Sequence, residues 1–432
     1  MRLHRLAAGL ELGLVGFVAL GLVGCGDDEA PKDTGSQHGG SAGAGALGGT
    51  AGSGGGTGGA ATSGGTSSGG AATSGGTSSG GAAASGGMGG SSASGGSGAG
   101  PSGGAGGGAG TGGTSVVGPR FIGRFTTDRR FAWSGATIAL RFTGTAVSVT
   151  LTDTGDNFYD AVVDNGTPRV INAQSGTQTY EIATGLADGP HDVRVSRRTE
   201  SFFNPSSFVS FSVPESAWLA SSAPDRRIEV VGDSISAGYG NEGVGPSCSF
   251  SADTENHSLA YEAVAAKELG ADLHTEAWSG IGIYRNNDGS MTGLMPERFS
   301  LIIPTEAGTT WDFSKFQPHA VIVNLGTNDF AGGDPGMGFQ TAHQDFATSL
   351  RQHYPNAKIY LAVGPMLSGT SYTAALGYLN AVVTARRAAG DDDIATLEFA
   401  TTMASEGYGC DYHPNTTTHA RMAATLVARL RA

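Results

Sequence analysis

Two hydrophobic rhythms follow one another along this chain, and the change between them falls near Pro214. Before it, from Arg120 to about Val213, apolar residues recur at alternate positions in short β-rich runs, at 137–142, 146–151, 160–164, 191–195 and 207–213. Gly144, Asn165-Gly166 and Asp188-Gly189 stand between these runs with the chemistry of turns. Half-buried strands at this spacing predict a β-sandwich of the jelly-roll sort over 116–214. That stretch shows no nucleophile or metal constellation, so a scaffolding or sugar-facing role is expected of it.

Beyond Pro214 the strands become short continuous apolar runs separated by helical spacing. Runs at 228–231, 320–325, 358–363 and 394–399 read as strands, and 256–269, 339–351, 371–389 and 416–431 read as helices. Leu259, Val264 and Leu269 fall on or near one face of the first helix. Alternating strands and helices predict an α/β domain over 215–432, a parallel sheet covered by helices on both sides. Sites in such sheets form where the strands end at their carboxyl termini.

Upstream of both domains the composition collapses. Between Asp33 and Arg120 there is no Lys, Arg, Asp or Glu, and Gly, Ser, Ala and Thr make up almost everything. Such a segment cannot bury enough apolar surface to offset its ordering entropy, so 25–115 is expected to be a disordered tether. The run from Gly58 to Ser68 repeats directly from Gly69, without the apolar seam that a helical supercoil needs. As a Gly/Ser coil of roughly 80 residues it reaches on the order of 50 Å.

The first residues resemble a bacterial lipoprotein signal. Arg2, His4 and Arg5 precede an apolar stretch ending in Leu22-Val23-Gly24-Cys25, and Asp27, Asp28 and Glu29 follow. The resemblance implies a signal peptide at 1–24 and a lipid on Cys25. An uncleaved anchor helix is the rival, but Glu11 shortens the apolar core to about twelve residues against the roughly 20 that a spanning helix needs. The expected product is an exported lipoprotein, periplasmic or at the cell surface, that touches membrane only through its anchor.

Export changes the reading of the cysteines. With Cys25 used, Cys248 and Cys410 remain, and an oxidising compartment allows them to pair; two unrelated buried thiols are the alternative. The formal charge of −13 and pI near 5.1 exclude affinity for nucleic acid or anionic lipid head groups, and leave neutral sugar polymers as plausible partners. His257, His274, His319, His343, His353 and His419 show no metal-ligand spacing, so neither a metal nor a cofactor is expected. A monomer is expected.

The chemistry lies in four short segments of the second domain: Gly232-Asp233-Ser234, Trp278-Ser279-Gly280, Gly326-Thr327-Asn328-Asp329 and Asp411-Tyr412-His413-Pro414. The first and third directly follow strands, and His413 precedes the last helix. Ser234 has the place of a nucleophile and His413 that of its base, while the Ser234 and Gly280 N–H groups and the Asn328 side chain suit an oxyanion hole. Each residue also has a plainer explanation. Ser234 suits a helix N-cap, Asn328 and Asp329 suit a turn, and His413 suits a surface loop.

Taken in order, Ser234, Gly280, Asn328 and His413 match the four blocks of the SGNH hydrolases, also called GDSL esterases. The preceding β-rich region, with 135–145 and 186–200, resembles the jelly-roll that the second carbohydrate esterase family carries ahead of its SGNH domain. Across roughly 119–432 the resemblance implies a serine esterase that removes O-acetyl groups from polysaccharides such as xylan or glucomannan. Peptidoglycan O-acetyl groups, lipid esters or thioesters are rival substrates, and a non-catalytic surface carbohydrate-binding protein is the rival class.

The sequence departs from most members at one point. The triad aspartate usually stands three residues before the histidine, where this chain has Cys410. Asp411 is the nearest carboxylate. Either it reaches the His413 ring and completes a triad, or a backbone carbonyl orients the ring and the enzyme runs on a dyad.

Overall fold

The computed structural model describes residues 115–432, so the expected signal peptide, Cys25 and the tether lie outside the described residues. The first half folds as a two-sheet antiparallel sandwich with a small separate ribbon, from β1 (Ser115–Val117), β2 (Arg120–Ile122), β3 (Arg130–Phe131), β4 (Thr137–Thr143), β5 (Ala146–Asp153), β6 (Phe158–Val163), β7 (Arg169–Asn172), β8 (Gly176–Thr184), β9 (Pro190–Arg197), β10 (Ser206–Phe211) and β11 (Ala220–Ser222), of which β1 and β11 make the ribbon. One sheet runs β3-β10-β5-β8 and the other β2-β4-β9-β6-β7. With β2 as an added edge, this is the jelly-roll order, in which the last strand returns beside the first. The alternation explains the layering. Ile138, Leu140 and Phe142 from β4, Val147, Val149 and Leu151 from β5, and Val193 and Val195 from β9 all enter one core, while their neighbours face outward.

The β1–β11 pair, in the register Ser115 to Ser222, carries the chain of this half past Pro214. From there β12 (Arg226–Gly232), α1 (Ser234–Ala237), α2 (Tyr261–Leu269), β13 (Ala271–Ala277), α3 (Met295–Arg298), β14 (Ala320–Asn324), α4 (Met337–His353), β15 (Lys358–Val363), α5 (Gly369–Ala388), β16 (Ile394–Glu398) and α6 (Thr416–Arg431) follow. Five parallel strands lie in the order β13-β12-β14-β15-β16. Val231, Val321, Val323, Ile359 and Leu361 pack beneath α4 and α5, and their sequence neighbours Val230, Ile322, Tyr360 and Ala362 pack beneath α2 and α6. Both faces are therefore dry, which is why these strands read as continuous apolar runs. The expected helix at 256–269 is shorter: a 3₁₀ turn at His257–Leu259 precedes α2.

The strand order reverses at β12, which has β13 on one side and β14 on the other. Such a switch point is where α/β sheets open their binding sites, and here it lies at the carboxyl ends of the two strands that lead into Ser234 and Asn328.

The two halves are joined by an arginine. Arg124, from the segment between β2 and β3, is fully buried among Glu229 of β12 and Glu276 of β13, with N–O distances of 2.8 Å to each. It also donates to the Phe299 and Leu301 carbonyls and lies 4.8 Å from the centre of the Phe299 ring. Glu229, His274 and Glu276 stand within metal-binding reach of one another, but the guanidinium already supplies the cation their carboxylates require. Burial pushes the Glu276 carboxyl well above its ordinary value, and the Arg124 charge opposes that rise. Trp133 of the sandwich completes the seam, joining the core beneath α4 and donating its indole N–H to the Leu301 carbonyl at 3.1 Å.

Candidate active site

Gly232 ends β12 and Asp233 caps α1, accepting the Ile235 N–H at 3.0 Å. The capping task thus falls to Asp233, not to Ser234. Ser234 is the first residue of the helix, where its own N–H has no intrahelical carbonyl to meet. The residue is 4% exposed, and its Oγ lies 2.9 Å from Nε2 of His413.

His413 is equally buried, at 4% exposure, so it is no surface-loop residue. Its Nδ1 lies 3.2 Å from the backbone carbonyl of Asp411, which only an Nδ1–H can satisfy. That leaves Nε2 with a lone pair aimed at the Ser234 hydroxyl. Burial lowers the imidazole pKa to about 4, while the Asp411 and Cys410 backbone groups oppose the fall. A neutral ring at neutral pH is what a general base requires.

The Asp411 carboxylate does not complete a triad. Its Oδ2 accepts the Tyr239 hydroxyl at 2.9 Å and the Phe250 N–H at 3.1 Å. Asp411 and Tyr412 both adopt left-handed backbone, at φ of 50° and 62°. That turn brings the Asp411 carbonyl, two residues before the histidine, under the imidazole. Of the two groups considered from the sequence, the geometry brings the Asp411 backbone carbonyl, and not its carboxylate, to Nδ1 of His413.

Around this turn the chain is tied down. Cys248 and Cys410 are joined by a disulfide with a Cα separation of 4.7 Å, and the Asp411 N–H donates to the Cys248 carbonyl at 3.2 Å. Tyr239 lies against the His413 ring with 4.1 Å between centroids, and Phe250 stacks on Tyr239 at the same distance. The loop after the nucleophile therefore braces the loop of the base.

The oxyanion side is assembled from two further turns. Gly280 follows β13 with φ +78°, a conformation costly for other residues, and a Cβ there would approach Asn287 Oδ1 to 3.1 Å. Its carbonyl accepts the Asn287 N–H, while its own N–H meets no acceptor among the described residues. Asn328, 7% exposed, donates through Nδ2 to the Ile281 carbonyl at 2.8 Å, which ties β14 to the Gly280 turn. Asp329 goes beyond closing a turn. Its carboxylate accepts the N–H groups of Ile283, Tyr284 and Arg285 at 3.2, 2.8 and 2.9 Å.

Sequence reading missed Asp329 in this role, and missed Glu200 altogether. Glu200 lies in the sandwich half, and its carboxylate accepts the Ser279 N–H at 2.5 Å and the Ser279 hydroxyl. Nothing local in the sequence signals a contact across 79 positions. Trp311 is buried beside Arg124, Tyr239 supports His413, and Trp278 lies beneath the Arg298 guanidinium at 4.3 Å.

A hydroxyl, a neutral imidazole and N–H donors on neighbouring turns can together carry out acyl transfer through a tetrahedral intermediate. Comparison with known proteins gives the same picture. Residues 121–222 match the family model described as Carbohydrate esterase 2 N-terminal, and residues 230–421 match the GDSL-like Lipase/Acylhydrolase family. The chain is 37% identical over 302 residues to the "Cellulase/esterase CelE" of Acetivibrio thermocellus, an alignment that takes in 69% of this chain but only 37% of the length of that protein. It is 25% identical over 308 residues to an "Acetylxylan esterase / glucomannan deacetylase" of Cellvibrio japonicus, covering 70% of this chain and 84% of that one. A solved family two carbohydrate esterase from Clostridium thermocellum, in complex with cellohexaose, superimposes with a TM-score of 0.69 at 36% identity, covering 73% of this chain and 98% of that one. With its sandwich, its parallel-sheet domain and its four blocks in place, the chain belongs to carbohydrate esterase family 2 and is a carboxylic ester hydrolase.

Proposed function

We propose that this chain removes O-acetyl groups from polysaccharides such as xylan or glucomannan. The observation that carries the reading is the 2.9 Å contact between Ser234 Oγ and a buried, carbonyl-braced His413 beside the Gly280 and Asn328 turns. The names of the Cellvibrio relative and the carbohydrate complex of the Clostridium enzyme support the substrate class.

Ser234 Oγ attacks the acetyl carbonyl carbon as its proton passes to His413 Nε2. The Ser234 and Gly280 N–H groups and Asn328 Nδ2 receive the negative charge that develops on the carbonyl oxygen. Collapse of the intermediate breaks the bond to the sugar oxygen, which takes the proton from His413 and departs as the free alcohol. Water, deprotonated by the same ring, attacks the acetyl-enzyme, and acetate leaves with Ser234 restored. The residues present supply every proton transfer in this cycle.

Acetate release from acetylated xylan and glucomannan, compared between the wild type and Ser234→Ala, tests the reading. Release by the wild type that vanishes in the variant is expected; equal release from both would overturn it, and release confined to a non-carbohydrate ester would overturn the substrate class. We further propose that the enzyme works as an exported, membrane-anchored monomer with Cys25 lipidated and the 25–115 segment as tether. The lipobox sequence supports this, as does the Cys248–Cys410 bridge, which suits an oxidising compartment. No described helix is long and apolar enough to cross a membrane. Labelling with radioactive palmitate should mark the wild type and not Cys25→Ser, and equal labelling of both would exclude the anchor at that residue.

A further inference from the structure

Gly280 lies between two buried carboxylates, one from each half of the molecule. On its C-terminal side Asp329 holds three consecutive N–H groups of the 283–285 turn. On its N-terminal side Glu200, which follows β9 in the sandwich, holds both the N–H and the hydroxyl of Ser279. A carboxylate that grips both groups fixes the backbone and side chain of Ser279 at once. The next peptide plane carries the Gly280 N–H, so holding Ser279 narrows the directions in which that N–H can point.

Glu200 is itself immobilised. It is fully buried, its N–H donates to Glu255 Oε2 at 3.0 Å, and its carbonyl accepts from the Arg197 guanidinium at 2.8 Å. Burial pushes its carboxyl up to about 7, against the hydrogen bonds from Ser279 that favour the ionised form. Such a desolvated group is costly, and simple adhesion between the halves does not require it, because Arg124 and Trp133 already provide that elsewhere. Unlike Arg124, the Glu200 carboxylate grips the turn that carries the Gly280 N–H.

We propose that Glu200 is a positioning residue for catalysis: by gripping Ser279, the sandwich domain aims the Gly280 N–H at the reacting carbonyl oxygen. The sandwich then contributes to the transition state without touching substrate. This rests on the serine-esterase reading above.

The test measures kcat and KM for p-nitrophenyl acetate per active site, with sites counted by the burst of p-nitrophenol on stoichiometric reaction with a p-nitrophenyl phosphonate. Glu200→Ala should lower kcat per counted site about 10- to 100-fold, a part of the ~10²–10³ that one oxyanion donor carries, with KM within about twofold. Glu200→Gln keeps an oxygen for the Ser279 N–H and should recover to within about fivefold of the wild type. A fall in the number of countable sites at unchanged kcat per site would show a merely structural residue and overturn the proposal. So would a loss expressed in KM, or a Gln variant as slow as the Ala variant. If Glu200→Ala yields no folded protein, Ser279→Ala decides: it removes one of the two contacts and should lower kcat a few-fold at constant KM, and an unchanged kcat would overturn the proposal. The esterase reading fails separately, if wild type turns over no faster than Ser234→Ala.

Discussion

A polar residue on a strand means different things in the two halves of this molecule. On the edge strand of the sandwich it faces water: β8 carries Gly176-Thr177-Gln178-Thr179 with every one of them exposed. In the parallel-sheet half it faces a partner: β13 carries His274, Thr275 and Glu276, all buried, and β12 carries Glu229 buried against Arg124. A one-sided antiparallel sheet gives polar side chains a cheap outlet, whereas a sheet covered on both faces leaves them only another protein group. Polar character inside the second sheet therefore marks either the seam between the halves or the rim of the active site.

The largest expected effect lies at that rim. His413→Ala should lower kcat by about four orders of magnitude or more, because no other group can take the Ser234 proton. Asp411→Asn should cost less than about tenfold, since the backbone carbonyl and not the carboxylate braces the ring. Steady-state kinetics on p-nitrophenyl acetate checks both, and equal losses would restore the carboxylate to the catalytic machinery. A second consequence concerns pH. His413 is the base only while neutral and its pKa lies near 4, so kcat/KM should hold through mildly acidic solution and fall as pH drops through about 4. An acid limb near the ordinary histidine value would mean that the ring is not desolvated as the structure has it.

The seam comes next. Arg124→Ala removes one cation from between two buried carboxylates, and breaking a buried pair in this way costs roughly 3–5 kcal/mol. Urea unfolding should show that loss as a lowered midpoint, and a change under about 1 kcal/mol would mean that water reaches Glu229 and Glu276 once the guanidinium is gone.

The same contrast decides what could be read from the chain alone. Apolar runs such as 358–363 and 320–325 coincide with β15 and β14 to within a residue, because burial on both faces leaves no room for polar interruption. Among the strands that escape notice are β13, with its charged and imidazole side chains, β7 and β8, whose outward faces dominate, and β1, β2, β3 and β11, too short to set up a pattern. Ser234 and Asn328 could be found because their blocks follow apolar runs, His413 because it precedes a helix, and Gly280 because its block stands between theirs in order. Glu200 and Arg124 could not, since their roles depend on partners 79 and more than a hundred positions away, brought close only when the two halves dock. A carbonyl-supported ring could be read only as one of two alternatives, because the choice depends on two successive left-handed residues and no side chain reports it.

The smallest expected effect completes the scale and tests its other end. Thr150 of β5 and Thr179 of β8 share a hydroxyl–hydroxyl contact of 2.8 Å on the outer face of the sandwich, where water can replace either partner. Thr179→Val keeps the β-branched shape that suits a strand and removes only that contact. The expected change in unfolding free energy is under about 0.5 kcal/mol, and kcat should stay at the wild-type value. A loss of 2 kcal/mol would mean that this face is covered and not solvated, and the contrast between the two sheets would then have to be redrawn around whatever covers it.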